Sequence, residues 1–356
     1  MQSYQTQPVK RNLFIDLTKA IAIILVVLGH SIQYCSGTNY LNEHLFFDNI
    51  LFKAIYSFHM PLFMLISGYL FASGINKGAK EIIINKLRSL IIPIFTWAII
   101  PLILYIIYNF QNEELHIIST LKYYIQYSIF SLWFLWAIFY CTLIVIINNK
   151  IFKDSIIIYI LIFIISFVTP DSYNICLYKY MYPFFILGYF YKKNNLQKRF
   201  CNIYKNNYFL FITGGLFLIL LCYFDRDKYI YISAHTIIGK DIIRQLYNDL
   251  FRYLIGLIGS IFTLTILYRI YLTTIKHNKL QVRNFIWTIG KNTMGIYIIS
   301  SYLNSYFWIN NTKYITGPNC LIITIATITM VSISILIIKC IQKSNLLNKF
   351  LLGARI

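Results

Sequence analysis

Charge is scarce in this sequence. Only 12% of its 356 residues are Asp, Glu, Lys or Arg, while 58% are hydrophobic. A soluble domain of this size is near 25% charged, so a soluble globular fold is excluded. Acidic residues are scarcest: 12 against 32 Lys and Arg, for a formal charge of +20. That balance would suit a nucleic-acid binder, but the basic residues recur in alternate loops, which is the pattern of membrane topology. Cysteine offers no framework either. Cys35, Cys141, Cys176, Cys201, Cys222, Cys320 and Cys340 are odd in number, lie mostly inside apolar runs and show no CxxC or Cys/His spacing. Neither disulfides nor zinc are indicated. Internal repeats, a soluble domain and a low-complexity tail are all absent. The first apolar run lacks a small-residue cleavage site and is interrupted by ionisable groups, so it is expected to remain as an anchor.

What the sequence has in abundance is long apolar runs. Ten segments stand out, at about 13–35, 50–72, 83–108, 124–147, 155–169, 178–191, 207–224, 250–271, 285–309 and 317–340. They predict an all-α fold, a polytopic membrane helical bundle of about ten transmembrane helices. One set of loops holds Lys77, Lys80, Lys86 and Arg88, then Lys150 and Lys153, Lys192 and Lys193, Arg269 and Arg283, together with both basic termini. The other set holds Glu43, Asp48, Glu113, Glu114, Asp171, Asp225, Asp227, Asp241 and Asp249. This alternation puts both termini in the cytoplasm. The division expected is a cytoplasmic tail 1–12, a transmembrane domain 13–341 and a cytoplasmic tail 342–356. Two loops carry a second reading. Residues 225–249 are a solvated connector or a lid that binds an acceptor, and the basic inner loop 192–206 is topological or an anion site.

The stretch Arg11 to His30 is a membrane span that carries Asp16, Lys19 and His30. At about 100° per residue, Lys19 and His30 lie within about 20° of each other, and Asp16 within about 40° of His30. Each such group costs roughly 2.5–3.5 kcal/mol at mid-bilayer on insertion scales, so this face is expected to wall a cavity. His30 falls roughly 25 Å along the helix from Leu13, and Lys19 about 16 Å below His30. A neutral imidazole there suits a general base. The plainer alternatives are a structural histidine bonded to a carbonyl and an Asp16/Lys19 pair that neutralises itself.

A second group is Phe58 to Phe71, FHMPLFMLISGYLF. His59 is expected near the level of His30, Pro61 to kink or break its helix, and Ser67-Gly68 to allow close helix approach. Lys86 and Arg88 precede Pro93 at the inner mouth of the third span, either as interface anchors or as a phosphate clamp. The aromatic run 131–139 reads as an interfacial belt or core.

At these residues the chain resembles acyltransferase family 3, integral membrane acyltransferases that modify cell-surface polysaccharides, lipopolysaccharides and related acceptors. Arg11, Asp16, Lys19 and His30 resemble the opening pattern, and Phe58 to Phe63 with Ser67-Gly68-Tyr69 the second-span signature. Lys86, Arg88 and Pro93, then Leu132 to Leu135, Tyr182 to Tyr189 and Ile289 to Tyr297 resemble later blocks in the same order. The resemblance implies His30 as a catalytic residue and Lys19 as a donor contact. It implies transfer of an acyl group, acetyl foremost, from cytoplasmic acyl-CoA to a hydroxyl of a surface glycan or its lipid-linked precursor. His59 and Asp16 join His30 as candidate catalytic residues. Lys86 and Arg88 join Lys19 as candidate donor-binding residues, with no metal. The setting expected is a bacterial cytoplasmic membrane, with a glycan acceptor as partner and no nucleic acid. An exporter of a polysaccharide or lipid-linked intermediate stays open beside this, because intramembrane charges and broken helices serve transport equally well.

Overall fold

The computed structural model describes residues 12–112, 116–239, 241–275, 280–304, 315 and 317–354. Arg11 and the loop residues Glu113 and Glu114 lie outside this set. Among the described residues the regular structure is helical throughout. The principal helices are Leu13–Tyr34 (α1), Ile50–Ala72 (α2), Ala79–Gln111 (α3), Ile117–Phe130 (α4), Trp133–Ile151 (α5) and Ile156–Ser166 (α6). They continue with Ile175–Lys193 (α7), Asn207–Cys222 (α8), Ile242–Ile270 (α9), Leu280–Lys291 (α10), Thr293–Leu303 (α11), Cys320–Gln342 (α12) and Asn345–Leu352 (α13). α1, α2, α3, α5, α9 and α12 are long and apolar enough to cross a membrane, and α6, α8 and α11 are shorter apolar helices. The protein is an all-α, multi-pass membrane protein, as its apolar runs predict.

Asparagine starts several of these helices. The side chains of Asn12, Asn49, Asn206 and Asn319 accept hydrogen bonds from the first backbone N–H groups of α1, α2, α8 and α12. A membrane helix needs such caps because its first donors have no partner within the helix.

Two apolar segments differ from the uninterrupted spans predicted. The run 124–147 is two helices, α4 and α5, separated at Ser131 and Leu132. The run 285–309 is broken at Asn292, between α10 and α11, and its last residues lie outside those described. Hydropathy averages over such breaks, so it could not locate them. At Pro61, where a kink or break was expected, α2 has no break in its helix. A proline interrupts the regular α-helical ladder in α3. Pro93 has no N–H to give to Ser89, and residues Leu87–Ile91 widen into a π turn in which the Ile92 N–H donates to the Leu87 carbonyl.

Both ends of the bundle are tied by contacts within one loop set. At the inner end Lys193 pairs with Asp154, and the Arg269 guanidinium donates to the carbonyls of Tyr204 and Lys205 and to Asn207. The chain beyond 342 forms α13, which docks on α3 where Trp97 Nε1 donates to the Leu351 carbonyl at 2.9 Å. At the outer end Arg226 pairs with Asp48, and the Tyr229 hydroxyl donates to the Phe47 carbonyl at 3.1 Å. These contacts agree with the two-sided distribution of charge.

The tightest crossing joins α2 and α7. A Cβ on Gly68 would stand 2.0 Å from the Phe185 carbonyl oxygen, and one on Gly188 would stand 1.9 Å from that of Leu65. The two glycines are reciprocal, each admitting the other helix's backbone. Gly290 does the same for α10 against α1, 2.4 Å from the Asp16 carbonyl oxygen. Alanine at Gly68 or Gly188 is therefore expected to lower the melting temperature of the detergent-purified protein, at an overpacking cost of about 1–3 kcal/mol or more. Gly215→Ala, where an added Cβ meets nothing within 4 Å, should leave it unchanged. Thermal unfolding of the three variants checks this.

Candidate active site

Two cavities lie end to end between α1, α2, α5 and α11. The inner one, of about 120 Å³, is walled by Lys19, Ile23 and Val26 of α1 and by Met60, Phe63, Ile66, Ser67 and Leu70 of α2. Leu90, Phe134, Leu135, Ile138, Thr293, Met294 and Tyr297 complete it. It is a narrow apolar bore with one cation. The outer one, of about 330 Å³, is walled by His30 and Tyr34 of α1, by Tyr56 and His59 of α2, and by the α4–α5 break from Tyr127 to Trp133. Tyr231, Tyr297, Ser301 and Tyr302 close its remaining sides. Its size falls within the usual range for small-molecule sites, roughly 300–1,000 Å³. Both cavities share Val26, Met60 and Tyr297, three buried side chains that form the partition between them.

The helix period explains this placement. Lys19 and His30 project from one face of α1, three turns apart, so one meets the inner bore and the other the outer chamber. Gly29 leaves room beside His30 for the Tyr56 ring, which a Cβ would meet at 2.7 Å. His59 is buried, and its Nδ1 lies 2.8 Å from the Ile55 carbonyl. A carbonyl only accepts, so Nδ1 carries the proton and a neutral His59 keeps Nε2 as an acceptor. His30 Nδ1 and Ser131 Oγ are buried and have no hydrogen-bond partner among the described residues.

The structure thus brings His30 and His59 to one chamber and Lys19 to the chamber below. It does not bring Asp16 to them. Asp16 is buried in the first turn of α1, lines neither cavity, and lies about 21 Å along the helix from His30. The shared face predicted from the helical wheel is real, but its axial length separates the carboxylate from the imidazoles. Lys86 stands beside the Phe71 ring, 5.6 Å from its centre, one turn before the inner-cavity residue Leu90. Arg88 is exposed and lines neither cavity. Among the described residues no group of three His, Cys, Asp or Glu is close enough to hold a metal.

A family model described as "Acyltransferase domain" matches residues 12–339. The chain belongs to acyltransferase family 3. Two curated relatives are both called Nodulation protein NolL. That of Mesorhizobium japonicum is 33% identical over 181 residues, covering 50% of this chain and 47% of the relative. That of Sinorhizobium fredii is 31% identical over 234 residues, covering 62% of this chain and 60% of the relative. The chain thus aligns with about half to three-fifths of the length of these relatives. No solved structure matches it significantly.

In this member of acyltransferase family 3, sequence reasoning missed the tyrosines of the outer chamber. Tyr34 follows His30 by four residues and Tyr56 precedes His59 by three, so helical spacing alone would have placed both beside the histidines. Tyr127, Tyr231, Tyr297 and Tyr302 come from elements far apart in sequence and carry no such signal. Also missed was a buried polar network under the outer loop. Lys179 Nζ donates to Asp171 Oδ1 at 2.8 Å and to Thr236 Oγ1 at 3.0 Å. Asp171 Oδ2 accepts from the backbone N–H groups of His235 and Thr236. Burial, reinforced by the Arg252 and Lys179 charges, pushes the His235 imidazole down to about 3, so this loop histidine stays neutral at physiological pH. Removing one member of the buried Lys179–Asp171 pair strands the other. Asp171→Ala alone is expected to cost about 3–5 kcal/mol, and Asp171→Ala with Lys179→Met should recover part of it. A double-mutant cycle on thermal unfolding measures the difference.

Proposed function

We propose that this protein is a membrane O-acyltransferase that moves an acyl group, acetyl foremost, from cytoplasmic acyl-CoA to a hydroxyl of a surface glycan or its lipid-linked precursor. The observation that carries this reading is the pair of cavities meeting at Val26, Met60 and Tyr297, with Lys19 in one and His30 and His59 in the other. An apolar cavity with Lys19 in its wall suits the extended arm of a thioester donor reaching in from the basic side of the bundle, with the nucleotide left outside. A wider chamber at the outer side suits an acceptor with hydroxyls. Family membership supports the reaction class.

In this mechanism Lys19 and Lys86 attract the anionic donor at the inner end. The thioester supplies an acyl carbon activated by a thiolate leaving group. His30 removes the proton as the acceptor oxygen forms its bond to the acyl carbon, and the carbon–sulfur bond breaks. His30 then returns that proton to the departing sulfur, so the imidazole ends neutral. The tautomer set by Ile55 makes His59 an acceptor for a second acceptor hydroxyl, a positioning role. It argues against oxyanion stabilisation by a neutral His59, which has no free donor. Asp16, about 21 Å away, takes no part in proton transfer.

His30→Ala is expected to lower kcat by about 10²–10⁴. His59→Asn, which keeps a donor for Ile55, should lower it less and raise KM for the acceptor. Lys19→Met is expected to raise KM for acyl-CoA about tenfold, the loss of roughly 1.4 kcal/mol, with kcat little changed. Mass spectrometry of surface glycans from a deletion strain, complemented with wild type or with His30→Ala at matched membrane abundance, tests the whole reading. An acyl mass increment present only with wild type is the expected result. Unmodified glycan at reduced surface amount, rescued by His30→Ala, would instead favour an exporter.

A further inference from the structure

The outer chamber takes one wall residue, Tyr231, from a segment whose position is over-determined. That segment runs from Tyr229 to Thr236. Ala234 in this segment has φ +58° and ψ −150°, a region that residues with a Cβ avoid and that persists only where the surroundings enforce it. The enforcing groups are buried. The Ala234 carbonyl accepts from Arg252 Nη1 at 2.6 Å and from Gln245 Nε2 at 3.2 Å. Arg252, 1% exposed, also donates to Ser233 Oγ. Asp171 takes the next two backbone N–H groups, and the Ile237 N–H donates to the Phe167 carbonyl at 3.0 Å. The Tyr229 side chain pins the other end to Phe47. A surface connector has no use for this much anchoring, whereas a fixed binding wall does.

What the wall could bind follows from its chemistry. Tyr231 lines the chamber and is 48% exposed, so its side chain stays accessible there. Trp133, Tyr34 and Tyr302 offer further rings, and Ser131 Oγ and His30 Nδ1 offer polar atoms with no partner among the described residues. Among the described residues lining the chamber none is Asp, Glu, Lys or Arg. The described basic groups of the outer segment are matched already: Arg226 with Asp48, Lys228 with Asp225, Arg244 with Asp227 and Arg252 with Asp249. A charged ligand group entering here would lose its hydration with no counter-charge to replace it. A ring with apolar C–H faces and neutral hydroxyl edges would stack and hydrogen-bond at once.

We infer that the outer chamber is a binding site for an uncharged sugar ring, stacked on Tyr231, and that the clamped segment Tyr229–Thr236 is the element that selects it. The inference rests on the acyltransferase reading for the sugar's role as acceptor, but the binding it asserts is independent of donor. Arg252 and Asp171 act through the backbone of the segment and are positioning residues.

The test is saturation-transfer NMR on the full-length protein in lipid nanodiscs, without acyl-CoA. The probes are methyl β-D-glucopyranoside, methyl β-D-glucuronopyranoside and methyl 2-amino-2-deoxy-β-D-glucopyranoside. Wild type should saturate the ring C–H protons of the neutral glycoside and bind it about tenfold tighter than either charged one. Tyr231→Phe should keep that binding and Tyr231→Ala should weaken it about tenfold. Tyr223→Ala, an exposed outer tyrosine away from the chamber, should leave it unchanged. Equal saturation of all three sugars, saturation of none, or unchanged binding by Tyr231→Ala overturns the inference. Transfer of acyl groups is scored separately with the same preparations. Selective binding without transfer would remove the acyltransferase reading and keep the site, and transfer without selective binding would do the reverse.

Discussion

The close crossing of α2 and α7 is the constraint on which the remainder of this bundle depends. Gly68 and Gly188 let two backbones meet with no side chain between them. In a membrane, where lipid is as apolar as leucine, such contact replaces the hydrophobic drive that assembles soluble helices. α2 set in this way carries His59 and Met60 towards α1. α1 is positioned in turn by Gly290 of α10, again through backbone contact, at the Asp16 carbonyl. The distance between the two histidine-bearing helices therefore rests on glycines, and neither histidine lies at the crossings themselves.

Polarity is distributed by the same economy of water. Inside the bundle the two cavities divide the work: the inner bore is apolar around a single lysine, and the outer chamber is lined by histidine, serine and tyrosine. Charges occur where they can pair. Lys179 with Asp171 and Arg252 with Asp249 sit in a buried cluster at the outer end, and their desolvation is offset by backbone groups of the segment they hold. That cluster holds the backbone of a loop segment that lends Tyr231 to the outer chamber, where a surface loop more usually has few such anchors.

The helical, multi-pass character of the chain and its family were legible in the sequence. Apolar length marks a span, positive charge marks its inner end, and motif blocks kept their order from Arg11 to Tyr297. Lys19 and His30 were legible too, because one helix has one period and a buried ionisable face must meet a cavity or a partner. The breaks at Ser131–Leu132 and Asn292, the continuity of α2 through Pro61, and the exclusion of Asp16 from the histidine chamber were not. Each depends on what a neighbouring helix offers a backbone group or on distance along an axis, and neither quantity is local. The sequence by itself determined the helical, membrane-spanning character of the chain and which residues of α1 share a face. Only the tertiary structure decided which faces meet, and so which side chains enclose a chamber. The tyrosines from five separate elements enclose one chamber only when long-range packing brings them together.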